Sequence, residues 1–351
     1  MKTKKLLFML PALLLAGCSK APSTHFDSRQ LEKAPQKNVS SIVIKENIEC
    51  TYPVKIAQYD SLFMIQDMMN QGYVYIFNSK GEKMDCLVKK GNGHTEISNA
   101  PSRFSIDKEK GVVSLYSAPY YVEYNVNNFV QNKTDFCNKT NCSELVSYPT
   151  QNAQKLTNGY LLEGFTGDMR FAVVDRNVRS IYTDYPSILP ENKKDDIAAV
   201  LTYNSNVAVA PDKSQWVQAS YIGGILEIFR YDGHEIKSVG INPIYEPVYE
   251  GKRQDVSWNE ETVIGFDDVV ATDKHIYTLL NGAKGKQLKS NPPVNPFTDQ
   301  ITVFDWNGDI KEIIHTDCMM MAIDIDEKEN VCYAISFNLE HGYDLRKIPL
   351  S

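Results

Sequence analysis

Residues 301–310 read Ile-Thr-Val-Phe-Asp-Trp-Asn-Gly-Asp-Ile. β-Branched and aromatic residues fill the first half, the composition of a packed strand. Asn307-Gly308 then supplies the turn residues that fold a strand back on itself. Alone the stretch predicts one hairpin, and its weight comes from repetition. Leu226–Ile236 reads Leu-Glu-Ile-Phe-Arg-Tyr-Asp-Gly-His-Glu-Ile, and Val74–Gly81 reads Val-Tyr-Ile-Phe-Asn-Ser-Lys-Gly. Tyr121–Asn128 and Phe171–Val178 are looser copies. The marker residue before each turn is Phe77, Tyr124, Val174, Phe229 and Phe304, at steps of 47, 50, 55 and 75 residues. A sixth marker falls near Ile348. Units of about 45–55 residues hold four short strands, which is the period of a propeller blade.

The units share an internal order of inner strand, polar turn, second strand, loop, marker strand, turn and outer strand. In the fifth unit these are Asp268–Thr272, His275–Leu280, Ile301–Trp306 and Ile310–His315, with Asn281–Gln300 as a long loop. In the fourth, Val207–Ala210, Gln215–Tyr221 and Leu226–Tyr231 follow the same order. The sixth supplies Met320–Ile325, Val331–Phe337 and Tyr343–Leu350, and then the chain stops without an outer strand. An open ring would expose unpaired edges. The spare apolar run Val39–Ile44 is therefore expected to fill that position and close the ring. The fold expected is all-β, a six-bladed propeller of four-stranded blades. Alternation of apolar and polar residues is weak in several runs, as it is when both faces of a sheet are buried. Pro190–Leu201 is the one stretch with a turn or two of helical character.

The leader is equally specific. Met1–Lys5 is basic, Leu6–Leu15 is apolar, and Leu15-Ala16-Gly17-Cys18 follows. An apolar run of about ten residues is too short for a hydrocarbon layer of about 30 Å, so it reads as the core of a signal peptide. The last four residues resemble the lipobox of bacterial lipoproteins. That resemblance implies lipidation of the Cys18 thiol, with Cys18 as the new N-terminus. Several acyl chains anchor stably where a single chain is marginal. The chain thus divides into a signal peptide (1–17), a flexible polar tether (18–37) and the propeller (38–351). Ser19 is not the Asp of an inner-membrane retention signal. The expected address is the outer membrane, facing the periplasm, with the cell surface as an alternative. The 37 basic residues fall short of the 44 acidic ones, and three of the 37 are leader lysines. An acidic chain without basic clusters argues against nucleic acid.

Six cysteines remain after Cys18. In an oxidising compartment an even number suggests disulfides, and six allow fifteen connectivities. Cys137 and Cys142, in the polar stretch Asn-Lys-Thr-Asp-Phe-Cys-Asn-Lys-Thr-Asn-Cys-Ser, are the expected bridge. Cys318 and Cys332 flank a hairpin whose symmetric register puts Cys318 opposite a residue near 338, which disfavours that pair.

Residues from about 38 to 351 resemble the TolB-like six-bladed propeller lipoproteins of Bacteroides-type bacteria. The resemblance rests on Pro211-Asp212-Lys213-Ser214 before Trp216–Ser220, on Gly265-Phe266-Asp267-Asp268 leading to His275-Ile276-Tyr277, and on Val303–Gly308. It implies a lipid-anchored propeller and carries over no catalytic residue.

Several motifs look chemical and read as structure. Gly91-Asn92-Gly93-His94-Thr95-Glu96 has two of the three glycines of a dinucleotide loop but no helix after it, so it reads as an inter-blade loop. Asp324-x-Asp326-x-Lys328 starts like a calcium loop, but Lys328 occupies a ligand position, so a solvated turn is expected. Asp60-Ser61-Leu62 resembles an O-glycosylation pattern of Bacteroides relatives and reads instead as buried strand. In a propeller, the loops entering each inner strand share one face with the loops that precede each marker strand. That face is where binding residues are expected. The candidates are Asp67, Arg103, Tyr120, Asp168, Arg170, Tyr221, Asp268 and Tyr343. The leading expectation is a non-enzymatic propeller that binds a protein, peptide or glycan there, without a cofactor. The alternatives are a metal-dependent hydrolase or lyase, with Asn206, Asp267 and Asp268 near a channel Ca²⁺, and a structural subunit of an envelope complex.

Replacement of Cys18 by Ser should move the protein from the membrane fraction to the soluble fraction and abolish incorporation of labelled palmitate.

Overall fold

The computed structural model describes residues 25–145, 147, 149–166, 169–175, 178–185, 203–248, 258–288 and 297–351. Two short strands, β1 (Gln36–Asn38) and β2 (Ile42–Lys45), precede the first blade. Blade 1 is β3 (Pro53–Tyr59), β4 (Leu62–Asp67), β5 (Gly72–Asn78) and β6 (Lys83–Lys89). Blade 2 is β7 (Ser105–Asp107), β8 (Val112–Ser117), β9 (Tyr120–Asn125) and β10 (Cys137–Asn141). Blade 3 is β11 (Thr150–Lys155), β12 (Gly159–Thr166), β13 (Met169–Asp175) and β14 (Val178–Tyr182). Blade 4 is β15 (Ser205–Val209), β16 (Gln215–Ser220), β17 (Ile225–Tyr231) and β18 (Ile236–Pro243). Each is a four-stranded antiparallel meander.

The last two blades share one eight-stranded sheet. Its strands are β19 (Phe266–Ala271), β20 (His275–Leu280), β21 (Thr298–Asp305), β22 (Ile310–Asp326), β23 (Val331–Asn338) and β24 (Gly342–Pro349), joined by β1 and β2. The 17-residue β22 serves both blades. Its first part pairs with β21 as the outer strand of blade 5 (Ile301 opposite Ile314). Its second part pairs with β23 as the inner strand of blade 6 (Ile323 opposite Ala334). The sequence reading treats these as two strands; the crossover between them remains extended.

Closure follows the expected logic with one refinement. β2 pairs antiparallel with β24 and supplies the outer strand of blade 6. β1 pairs parallel with β22 and adds an extra strand outside blade 5. The expected closing run Val39–Ile44 thus supplies β2, whereas β1 comes from residues 36–38, the first two of which the sequence reading assigned to the flexible tether; that end of the tether is instead fixed as a strand. Arg346 on β24 fixes the junction: its guanidinium donates to Ser41 Oγ (2.9 Å), Ser336 Oγ (2.8 Å) and Asp344 Oδ2 (3.0 Å). Asp344 is fully buried and also accepts from the Asn47 amide.

Marker residues Phe77, Tyr124, Phe229 and Phe304 are completely buried. Consecutive residues of β5 and β17 are buried on both sides of their sheets, which explains the weak alternation. Blade 6 packs on blade 1 through Tyr333, Ile335 and Leu345 against Phe63, Ile65 and Phe77. The Phe63 and Tyr333 rings meet edge-on at 5.2 Å. Blades 3 and 4 meet through Phe171, Trp216 and Phe229.

Two readings are corrected. Cys137 and Cys142 do not form a bridge, and all six described cysteines are free. The stretch read as a loop is mostly β10, paired with β9 from Cys137 opposite Tyr124 to Asn141 opposite Tyr120. Five residues along a strand span about 16 Å, well beyond the Cα separation a disulfide tolerates. Asp60-Ser61 is no buried strand either. It is the exposed turn between β3 and β4, with Asp60 in the left-handed region at φ 52°. Cys18 and Pro190–Leu201 lie outside the described residues.

Replacement of Arg346 by Met would take the guanidinium from the buried Asp344 carboxylate at the ring junction and leave it the Asn47 amide and His341 Nε2. Denaturant unfolding should show a loss of about 2–4 kcal/mol, as expected when one partner of a largely buried ion pair is removed.

Candidate functional site

Each blade turns over so that the loop entering its inner strand and the loop between its second and third strands emerge on one face. Asp67, at the end of β4, organises this face in blade 1. It is fully buried, and its carboxylate accepts from the backbone amides of Thr51 (2.7 Å), Tyr52 (2.9 Å) and Met69 (3.3 Å). The expected ligand contact is therefore a clamp that ties the two loops of one blade together. Tyr120 opens β9 on the same face and is 42% exposed. Tyr343 opens β24, where its carbonyl accepts from the Ile48 amide as the chain enters blade 1. Burial pushes its phenol up.

Arg103, Tyr221 and Asp268 come together at the channel. Asp268, on inner strand β19, is 1% exposed. Its Oδ1 takes Lys55 Nζ from blade 1 (2.7 Å) and Arg103 from the entry to blade 2 (3.4 Å), together with the Val269 amide. Its Oδ2 accepts from the Ile323 amide of blade 6 (2.9 Å). One carboxylate thus links four blades across the axis. Arg103 also donates to the Asp267 carbonyl and lies over the Tyr221 ring. The Tyr221 hydroxyl donates to Asn206 Oδ1 (2.8 Å), and the Asn206 amide nitrogen donates to the Phe266 and Asp267 carbonyls. Further down, Lys108 reaches Asp324 (2.7 Å) and Lys213 reaches Asp107 (2.8 Å). Asp324 is accordingly buried rather than part of a solvated turn. Asp326 does cap that turn, accepting from the Lys328 and Glu329 amides.

Arg170 lies apart from this group. It is 5% exposed between blades 3 and 4 and pairs with Glu227 (2.7 Å) and Gln218 (2.5 Å). It joins two blades. Asp168 lies outside the described residues.

Sequence reasoning missed Lys55, Lys108, Lys213, Glu163 and Glu227. Lys213 carried a signal, because it occupies a left-handed turn position (φ 59°) that Gly or Asn fills at less cost. Lys there is explained by its reach to Asp107. Two carboxyls are displaced upward. Asp267 is pushed up to about 6 by burial, opposed by the Asn281 amide and by Arg103. Glu163 is pushed up to about 7 by burial, opposed by Asn152 and Arg170.

Asn206, Asp267 and Asp268 do not fit a channel cation. Asp268 already holds two cationic side chains and two backbone amides, and the Asn206 oxygen is taken by Tyr221. Among the described residues, no three His, Cys, Asp or Glu side chains converge as metal ligands do. The same face holds a cavity of ≈ 630 Å³ between blades 5 and 6, bordered by Asp299, Asp317, Phe337, Leu339 and Glu340.

A family model described as TolB-like 6-blade propeller-like matches residues 32–328. No curated protein matches the chain in sequence. Among solved structures, a candidate exported protein of Bacteroides fragilis aligns at 12% identity over 90% of this chain and 98% of its own, with a TM-score of 0.49. A calcium-binding regucalcin of Agrobacterium tumefaciens aligns at 8% identity over 90% and 96%, with a TM-score of 0.50. A gluconolactonase of Xanthomonas campestris aligns at 9% identity over 89% of each chain, with the same score. At these identities the likeness is one of fold.

The raised Glu163 carboxyl gives a signed pH effect. The folded chain keeps a proton that the unfolded chain has released, so wild-type stability falls as pH rises from the ordinary Glu range through about 7. Glu163→Gln removes that cost. By thermal or chemical unfolding it should be more stable than wild type by about 1–3 kcal/mol at pH 8, with the gain shrinking toward pH 5.

Proposed function

The chain belongs to the TolB-like six-bladed propeller family, and from that premise we propose that it is a lipid-anchored envelope protein whose loop face binds a protein or peptide. The observation that carries this reading is the placement of exposed apolar side chains. Leu339 (83% exposed) and Met69 (70%) are the two most exposed large apolar residues among those described. Both stand on loops of the loop face, in blades 6 and 1. Tyr52 (45%) and Tyr120 (42%) join them from blades 1 and 2. Trp258 (52%) lies on the same face, ahead of blade 5. Met, Tyr and Trp are the residue types enriched where proteins meet. A monomer leaves single apolar residues exposed anywhere, as Ile42 (58%) and Met84 (56%) are on outer strands, but the placement of the two most exposed ones on loops held by a rigid scaffold favours recognition.

The channel supports the same reading from the other side. Its buried carboxylates Asp268 and Asp324 are each matched by a lysine from another blade. Such pairs hold blades together and engage the Asp268 and Asp324 oxygens in ion pairs. Anchoring through Cys18 and an address at the outer membrane, facing the periplasm, belong to this proposal. They rest on the leader sequence.

A photo-crosslinking residue placed at Met69 or Leu339 should give covalent adducts in intact envelopes, and the same residue at Met84 or Val239, on outer strands, should give few. Adducts from the outer strands alone would sink the reading. So would a rise in melting temperature on addition of Ca²⁺, because an ion that binds the folded state must stabilise it.

A further inference from the structure

A second cavity, of ≈ 290 Å³, opens between blades 3 and 4 on the face opposite the loop face. Strand alternation explains what borders it. Side chains two residues apart share one side of a strand, so Asp175 follows Val173 on β13 and Tyr231 follows Phe229 on β17. Val173 and Phe229 face the layer between the two blades, where the Phe171 and Phe229 rings meet edge-on at 4.9 Å. Asp175 and Tyr231 are the next residues of those two rows. They close their strands at the turn end and border the cavity. Leu156 and Val173, 5% and 1% exposed, form its apolar part. Lys213 reaches it from the turn after the inner strand of blade 4.

The polar groups around this space are not satisfied by one another. Among the described residues, neither Asp175 Oδ1 nor the Tyr231 hydroxyl has a hydrogen-bond partner, although both atoms are shielded from solvent. A shielded polar atom is normally paired, and leaving it bare costs stability. The two do not bond each other, so a group that satisfies both stands between them. Lys213 gives one N–H to Asp107 Oδ2 (2.8 Å), and its ammonium has two further donors. The pocket therefore offers a negatively charged acceptor, a hydroxyl that acts either way and a positively charged donor. An ammonium ligand would meet Lys213, and a carboxylate or phosphate would meet Asp175. Neutral hydroxyls suit all three, because they donate to the carboxylate, accept from the ammonium and exchange with the phenol. The carbon face of a ring then covers Leu156 and Val173. The volume lies just under the usual range of small-molecule sites, about 300–1,000 Å³, which suits a single ring.

We infer that this pocket binds one sugar ring, a neutral polyhydroxy ligand of monosaccharide size, with Asp175, Tyr231 and Lys213 as its polar contacts. The site is separate from the loop face and does not depend on Cys18. About a dozen non-hydrogen atoms, at the efficiency ordinary for small ligands, give a dissociation constant on the order of 1 mM. Such a site empties on washing and fills where the sugar is abundant.

The test is saturation-transfer difference NMR on the purified full chain. The probes are glucose, galactose, mannose and N-acetylglucosamine, each free and as the terminal unit of a disaccharide, with ethanolamine and acetate as charged probes. At least one sugar should receive saturation on its ring protons, with a constant in the millimolar range. The tighter of its two forms assigns a free sugar or a glycan end as the source. Tyr231→Phe and Asp175→Asn should each weaken that binding about tenfold, the scale of one hydrogen bond. Tyr231→Phe removes a hydroxyl without a partner in the folded chain, so its melting temperature should equal or exceed that of the wild type. No transfer to any sugar, at concentrations well above the expected constant, would overturn the site. Transfer to ethanolamine or acetate alone would overturn the neutral ligand. Sugar binding that survives both replacements would lie elsewhere on the chain and overturn the assignment. A melting temperature lowered by Tyr231→Phe would show that the hydroxyl is already paired, and would remove the ground for the site.

Discussion

A ring of sheets is stable only if its last edge is paired, and this constraint orders the whole molecule. Blade 6 takes its outer strand from residues 42–45, about three hundred positions before the strand it pairs with. Arg346 and the buried Asp344 hold the junction, and β1 braces the neighbouring blade from outside. Once the ring is closed, six inner strands face one axis. Charged residues on those strands then meet partners that are remote in sequence. Lys55 lies 213 residues from Asp268, and Lys108 lies 216 from Asp324.

Those pairs decide what the channel can do. A buried carboxylate without a partner would cost several kcal/mol or take up a proton. Asp268 avoids both by accepting from Lys55, Arg103 and two backbone amides. The same bonds that hold four blades together use up the oxygens an ion would need. Asp267 and Glu163 are less well matched, and their raised proton affinities are the measure of that deficit. The proposed recognition surface is the rim, where loops fixed from below by residues such as Asp67 carry apolar side chains into solvent.

The fold was legible because its signal is local and repeated. An apolar strand ending in Phe304 and an Asn-Gly turn can be read from ten residues, and the spacing of Phe77, Tyr124, Val174 and Phe229 then supplies the blade. Closure was legible from a counting argument, a missing strand at one end and a spare one at the other. The second closing strand, β1, was not, because it lies in a polar stretch that reads as tether and depends on how far β22 runs without a break. The site was legible only as a face. Asp67, Arg170 and Asp268 were recognised as polar residues in the right places, but their partners come from other blades, and no local pattern pairs Arg170 with Glu227 or Asp268 with Lys55. The disulfide expectation failed for the same reason: two cysteines close in sequence are held apart by a strand whose register is set by β9.

Recognition at the loop face can be tested most directly by amide hydrogen exchange, comparing the lipidated protein in native envelopes with the purified protein. The account predicts slowed exchange in the envelope at Thr51–Tyr52, Met68–Gln71, Ser117–Tyr120 and Asn338–Gly342, with no change at the turns on the opposite face. Slowed exchange at the opposite turns or along the channel strands, with the loop face unaltered, would contradict it.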